Sequence, residues 1–314
     1  MKKILILTDG KAGHENQSRA FARALGYDFD LLPVRFRFPG AKPLSYLFNR
    51  LGLSTSALFT LTDPPAASAY AAVIGTGSGT FYAAHVLSRQ LNIPCGVVLS
   101  PRGYRFSSFD CILAPAFDRP VPAPNVITIP ANLVAADAAF YETGLHAFRA
   151  RYTPSDRPAV AVIVGGPNKC ATLSPDWMRA QLEKIFAETP DCEHWVTTSR
   201  RTPLDVEAVV DAFPFDYKLL YSRDHFNPIP AFVTAADTLY VTAESTGMLS
   251  EACTFGRATV HALDNLMPGP SKFRRFIDGL TEAGHLNGNR KIDLTDAFNR
   301  ARARLRLDAA AAAV

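Results

Sequence analysis

Several turns in this chain carry more chemistry than a plain connector needs. The first, Asp9-Gly10-Lys11-Ala12-Gly13-His14-Glu15, follows an apolar run. Its glycines let backbone approach a ligand, and a helix starting near Asn16 would offer unpaired N–H groups and partial positive charge. His14 and Glu15, at the lip of that helix, are of the types that take a proton from a reacting hydroxyl. Turn formation and helix capping explain the glycines alone equally well. A second turn, GTGSGTF (75–81), places Gly77, Ser78 and Gly79 ahead of another helical stretch, again an anion-accepting arrangement. Ser78 is not a hydrolase nucleophile elbow, which has the form G-x-S-x-G; here glycine flanks it on both immediate sides.

Three later turns suit phosphate. In VGGPNK (164–169), Gly165 and Gly166 could bring backbone to a pyrophosphate, with Asn168 and Lys169 beside them. TTSRRTP (197–203) gathers Ser199, Arg200, Arg201 and Thr202, two cations and two hydroxyls matched to phosphate oxygens. A surface arginine pair is the plainer reading of that cluster. VTAESTGMLSEA (241–252) is the strongest. Glu244, Ser245 and Thr246 open a helix whose free N–H groups and hydroxyls can hold phosphate. Glu251, two turns on, could accept both hydroxyls of a ribose; a capped helix with a solvated Glu251 is the alternative.

Such turns need strands to hold them. KKILILT, FDLLPV, YAAVIGT, PCGVVLS, DCILAPA and NVITIPA read as short strands in the first half, with NQSRAFARALG and the residues after GTGSG as helices. After the polar, proline-bearing RYTPSDRP (151–158) the pattern restarts with AVAVIVGG, HWVTTS, DYKLLY, DTLYVTA and RATVHAL as strands. PDWMRAQLEKIFAE, STGMLSEACTFG and DLTDAFNRARARLRL read as helices, and the closing DAAAAAV as a frayed end. This alternation predicts an α/β protein with parallel sheets. Two Rossmann-like domains are expected, 1–152 and 153–314, with the last helix able to pack back on the first. Ligands of such sheets sit beyond the carboxyl ends of the strands, so a cleft between the domains is the expected site.

The totals narrow the function. The 314 residues are 48% hydrophobic and 20% charged, with a net charge of +4. That balance suits an anionic small molecule or an anionic membrane surface, and argues against nucleic acid. Five scattered cysteines without a CxxC point to reduced thiols and a cytoplasmic location. The apolar run at the amino end is too short for a signal peptide, and no stretch approaches a membrane span. The seven histidines show no metal spacing, so no metal and no bound cofactor are expected. The dinucleotide fingerprint and Tyr-x-x-x-Lys of a short-chain dehydrogenase are absent. One segment, 34–53, interleaves Arg35, Arg37, Lys42 and Arg50 with Phe36, Phe38, Tyr46, Leu47, Phe48 and Leu51. It suits a membrane interface or a lipid-linked acceptor, or else a loop and helix covering their own core.

Taken together, TDGKAGHENQSRAFARAL, VIGTGSGTF, VGGPNK, TSRRTP, RDHFNP and AFVTAADTLYVTAESTGMLSEA resemble the mitochondrial-fission "elongated mitochondria" family over most of the chain. Its bacterial members are often labelled nucleoside-diphosphate-sugar epimerases, and its plant member recruits a dynamin-related protein. The layout also resembles GT-B glycosyltransferases. That resemblance implies a nucleotide-sugar in the second domain, with Gly165, Gly166, Ser199, Arg201, Ser245 and Thr246 around the diphosphate and Glu251 on the ribose. Asp9, His14 or Glu15 would be the acceptor-side base, with Gly10, Lys11, Gly13, Gly77, Ser78 and Gly79 in the acceptor-side loops. This chain has Glu244-Ser245 where the family has Asp-Ser, which keeps a carboxylate. It has Phe117-Asp118 where the family has His-Asp, which removes a proton carrier. The expectation is a metal-independent transferase moving a sugar from a nucleotide diphosphate to an acceptor of unknown identity. A non-catalytic adaptor and an NAD-independent epimerase are the alternatives.

Overall fold

The computed structural model of the chain describes residues 2–62, 67–134 and 137–307. The closing segment 308–314, expected to fray, lies outside the described residues. The chain divides into two compact units, 1–135 with 293–314, and 136–292.

The first unit holds a seven-stranded sheet. Its strands are β1 (Lys3–Thr8), β2 (Phe29–Phe36), β3 (Phe59–Leu61), β4 (Tyr70–Thr76), β5 (Cys95–Val98), β6 (Cys111–Pro115) and β7 (Val126–Ile129). They lie in the order β3-β2-β1-β4-β5-β6-β7, parallel except for the short edge strand β3. Helices α1 (Ala12–Ala24), α2 (Ala41–Arg50) and α3 (Phe81–Leu91) connect them. Successive strand side chains face opposite sides of a sheet, so β1 feeds two cores. Ile4 and Ile6 pack with Phe21 and Leu25 near α1, and Leu5 and Leu7 with Phe81 and Val86 of α3. The last helix of the chain, Thr295–Arg304, belongs to this unit, and Ala301 and the following Leu305 are fully buried in the first of these cores. Because apolar residues face both ways, the strand reads as one unbroken apolar run.

The second unit has five parallel strands, β8 (Ala159–Val164), β9 (Glu193–Thr198), β10 (Tyr217–Leu219), β11 (Thr238–Thr242) and β12 (Thr259–Leu263). Their order is β10-β9-β8-β11-β12. Its helices are α4 (Ala138–Arg149), α5 (Pro175–Glu188), α6 (Leu204–Ala212), α7 (Ile229–Ala235), α8 (Thr246–Thr254) and α9 (Lys272–Glu282); the last helix of the chain is then α10. In each sheet the chain reverses its direction of growth once, between β1 and β4 and between β8 and β11. The turns beyond those strand ends are where an open α/β sheet binds ligands.

The units divide ahead of α4 rather than at 152/153, and the reason is Glu193. This fully buried carboxylate accepts hydrogen bonds from Ser155 N (2.6 Å) and Trp195 Nε1 (2.7 Å), and from the Tyr152 hydroxyl. Burial pushes its carboxyl up, but those hydrogen bonds prevail and hold it below the usual carboxylate range. Phe148 of α4 packs its ring, tilted, 5.2 Å from that of Trp195. The polar stretch 151–158 is therefore fastened onto the second unit, and α4 with it.

Candidate functional site

At the β1/β4 switch point the sequence places Asp9 directly after β1 and His14 in the first turn of α1. The helix begins at Ala12, earlier than the Asn16 start expected, so Gly13, His14 and Glu15 lie inside it. Asp9 is mostly buried, and its two oxygens each lie 3.1 Å from His14 Nδ1. An ionised carboxylate can only accept, so Nδ1–H donates and Nε2 is left as the free lone pair. Among the described residues nothing bonds to that Nε2. Burial pushes the Asp9 carboxyl up, but hydrogen bonds from Lys11 (3.0 Å) and from His14 hold it below its ordinary value. The β4 turn seats this pair. Gly77 has φ +79°, and a Cβ there would lie 2.3 Å from His14 Cε1; one at Gly79 would strike Asp9. Ser78 turns the other way and accepts from Lys42 Nζ (2.8 Å). Gly10 supplies a left-handed turn (φ +78°).

Glu15 is committed elsewhere. It accepts from Arg19 (2.7 Å) and from the Thr8 hydroxyl (3.0 Å), and the Arg19 hydrogen bond, first among the causes, keeps its carboxyl low.

At the β8/β11 switch point the organising residue is Glu244, buried with its side chain inaccessible. Its Oε1 accepts from Gly166 N (2.7 Å) and the Thr242 hydroxyl (3.2 Å), and its Oε2 from Asn265 Nδ2 (2.8 Å). Gly165 N donates to Thr242 Oγ1 (2.8 Å). The two glycine amides read as pyrophosphate donors are thus already engaged within the unit. Glycine is needed here for close approach. A Cβ on Gly165 would lie 1.9 Å from Glu244 Oε1, and one on Gly166 would lie 2.2 Å from the Arg201 carbonyl oxygen. Thr202 is also internal: its hydroxyl donates to Gly165 O (2.6 Å) and receives Ser199 N (2.9 Å). It staples the β9 turn to the β8 turn rather than facing a ligand. Asn168 accepts from Cys170 N (2.7 Å), while Lys169 and Arg200 are exposed.

The groups that remain available are those at the start of α8. No side chain caps this helix. The hydroxyls of Ser245 and Thr246 make no hydrogen bond among the described residues. Arg201 is half-exposed, with its guanidinium 4.0 Å from Glu244 Oε1. Glu251, in the second turn of α8, has a single partner, the Tyr141 hydroxyl of α4 at 3.1 Å. Burial raises its carboxyl above the ordinary range, and the Tyr141 hydrogen bond offsets this only in part.

Sequence reasoning missed Thr242, Asn265 and Tyr141. Thr242 and Asn265 stand at or just beyond strand ends flanking the switch point, and that placement was their only signal. Tyr141 lies in a helix that carries no turn motif.

The family model for mitochondrial fission ELM1 matches residues 12–313. The chain belongs to that family. No curated protein matches it in sequence. Among solved structures it is similar to a candidate UDP-N-acetylglucosamine 2-epimerase from Listeria monocytogenes, at 12% identity and a TM-score of 0.52, covering 99% of this chain and 90% of that one. It is also similar to E. coli ADP-heptose LPS heptosyltransferase II, at 10% identity, a TM-score of 0.47 and 97% and 98% coverage. A third is the UDP-GlcNAc 2-epimerase of Neisseria meningitidis bound to UDP-GlcNAc, at 12% identity, a TM-score of 0.48 and 97% and 91% coverage. The fold of this family member is GT-B-like, with two Rossmann-like units. No helix among its described residues is long and apolar enough to cross a membrane.

Proposed function

We propose that this family member is a glycosyltransferase of GT-B type that moves a sugar from a nucleoside diphosphate to an acceptor hydroxyl. The observation that carries the reading is the start of α8. An uncapped helix terminus with two free hydroxyls binds phosphate, and Glu251 follows it with one weak claim on its carboxylate. In the proposed reaction the acceptor hydroxyl gives its proton to His14 Nε2, which Asp9 orients. The acceptor oxygen bonds to the anomeric carbon as the bond from that carbon to the diphosphate breaks. Arg201 and the α8 terminus meet the charge left on the diphosphate, the role a metal ion plays in other transferases. Glu251 accepts the ribose hydroxyls.

Calorimetric titration with UDP, GDP, CMP and ADP tests this. One nucleotide binds the wild type, and Glu251→Gln weakens it by about tenfold or more, as expected when hydrogen bonds to a charged group are lost. If no nucleotide binds, the transferase reading falls and a non-catalytic adaptor takes its place. The same variant carries a second signature. Because the folded carboxyl is raised, ionising Glu251 costs stability; the cost is absent below the unfolded-state pKa and complete above the folded one. Glu251→Gln still accepts from Tyr141 but carries no charge. Its melting temperature exceeds that of the wild type at neutral pH, and the gap closes as the pH falls through the carboxylate range.

The segment 34–53 supports a peripheral association with anionic lipid. Phe36, Tyr46 and Phe48 turn inward against the core, whereas Phe38, Leu47, Leu51 and Leu53 are each 45% exposed or more. Leu47 and Leu51 share one face of the α2 turn, with Arg35, Arg37, Lys42 and Arg50 exposed along the same segment. Full burial of a leucine is worth about 1.5–3 kcal/mol. The double substitution Leu47→Asp, Leu51→Asp therefore lowers sedimentation with phosphatidylglycerol vesicles by about tenfold or more. Equal binding of wild type and variant would remove this part of the proposal.

A further inference from the structure

A cleft of about 390 Å³ opens at the amino ends of β5 and β6, the end of the first sheet opposite the His14 switch point. It lies in the size range of small-molecule sites, roughly 300–1,000 Å³. The last turn of α3 forms one wall, and the residues leading into β5 and β6 form the others, with Arg306 at the rim after α10.

The lining has a definite chemical character. Arg89 is exposed and makes no hydrogen bond or ion pair among the described residues. Arg306 is 79% exposed, with a guanidinium nitrogen 3.6 Å from Asp110 Oδ1. Asp110 is partly spoken for, since its Oδ2 accepts from Cys95 N (2.8 Å). The lining thus carries two arginines and one carboxylate. The carbonyl end of α3 would repel an anion, but it is covered: Ile93 N donates to Ser88 O (3.0 Å) and Asn92 N to Arg89 O (3.3 Å). Asn92 closes this cap in the left-handed region, with φ +52°.

His85 is the second, independent feature. It is only 6% exposed, yet it lines the cleft. Its Nδ1 lies 3.0 Å from the Ser108 carbonyl oxygen, which can only accept, so Nδ1 carries the proton. Nε2 has no partner among the described residues. Burial, the largest influence, holds the imidazole below its ordinary range, against the pull of the Ser108 hydrogen bond and with help from the Arg89 charge. The neutral ring presents Nε2 as an acceptor on the cleft lining with no donor among the described residues. Ser88 and Ser107 add hydroxyls to the same lining.

We infer that this cleft binds a small hydroxylated anion of sugar-phosphate size, its anionic group facing Arg89 and Arg306 and one of its hydroxyls donating to His85 Nε2. The inference uses the first unit alone and stands whether or not the nucleotide reading does.

Titration calorimetry on the full chain tests it, with glucose 6-phosphate and inorganic phosphate as probes. The wild type binds glucose 6-phosphate in the millimolar range or tighter, and more tightly than inorganic phosphate, because only the sugar supplies a hydroxyl for His85. Arg89→Ala and Arg306→Ala each weaken the sugar phosphate by about tenfold, the worth of a charge-assisted hydrogen bond. Arg201→Ala, at the other unit's phosphate-type site, leaves this binding unchanged. Absence of binding overturns the inference. So does binding that survives both cleft substitutions, or binding lost in Arg201→Ala, which assigns the probe to the second unit.

Discussion

His14→Ala lowers turnover of the sugar donor by about 10²–10⁴-fold, the usual worth of a positioned general base, and leaves nucleotide affinity where it was. The split follows from placement: His14 and Asp9 belong to the first unit, and the proposed nucleotide contacts to the second. Asp9→Asn falls nearly as far for a different reason. The carboxylate fixes the proton on Nδ1; an amide N–H turned toward that nitrogen favours the tautomer with the proton on Nε2, and the base is gone. Steady-state release of nucleotide from the donor sugar reads both variants, and titration of each with the nucleotide reads binding separately. Full turnover in His14→Ala would end the assignment of this pair to proton transfer. Glu15→Gln provides a contrast. Its carboxylate is already held by Arg19 and Thr8, so turnover changes far less than in His14→Ala.

Glu244→Ala should be the most destabilising single change at the second switch point. It strands three donors, Gly166 N, the Thr242 hydroxyl and Asn265 Nδ2, in a place that water does not reach. A buried donor without a partner costs about 1–3 kcal/mol. Each kcal/mol is worth about 2–4 °C of melting temperature in a unit of this size. Nucleotide binding is lost with it, because the β8 and β11 turns no longer share an anchor. Glu244→Gln separates the two effects: its amide oxygen can keep Gly166 N and the Thr242 hydroxyl, but its NH₂ then faces Asn265 Nδ2. The variant folds with a smaller loss and binds weakly. Thermal melts by circular dichroism, with nucleotide titration at a temperature where both variants are folded, decide the matter. A Glu244→Ala chain as stable as the wild type would show that the carboxylate is not the anchor described.

The architecture was legible in the sequence because its strands are buried on both faces. β1, β4, β8 and β11 are short, continuous apolar runs that stop at a glycine or a hydroxyl, and each was read to within a residue or two. The helices α4, α6, α7 and α9 were not read. Phe148 of α4 packs against Trp195 and Phe232, partners distant in sequence, so nothing local announces that helix. The site was legible as a set of turns but not as a division of labour. Gly165 and Gly166 look like open phosphate donors until Thr242 and Glu244 are found holding their amides. Glu244 itself looked like part of a phosphate cradle, when its carboxylate is the piece beneath that cradle. Asp9 and His14 are five residues apart, a spacing with no meaning in an extended chain. They meet because α1 starts at Ala12 and brings its first turn back over the end of β1.

The placement of α10 bears on how the protein is made. Ala301 and Leu305 fill the core that Ile4, Ile6 and Phe21 begin, so that core closes only when two segments far apart in the sequence have both been made. The second unit is one uninterrupted stretch of chain and can close while synthesis continues. The first unit, although encoded earlier, must hold an apolar sheet face open until α10 emerges. Exposed sheet surface of that kind is what chaperones bind and what aggregates. A nascent chain that stops before residue 295 therefore presents a finished second unit and an unfinished first one, so the unit that carries His14 is completed only after the second unit has been synthesised.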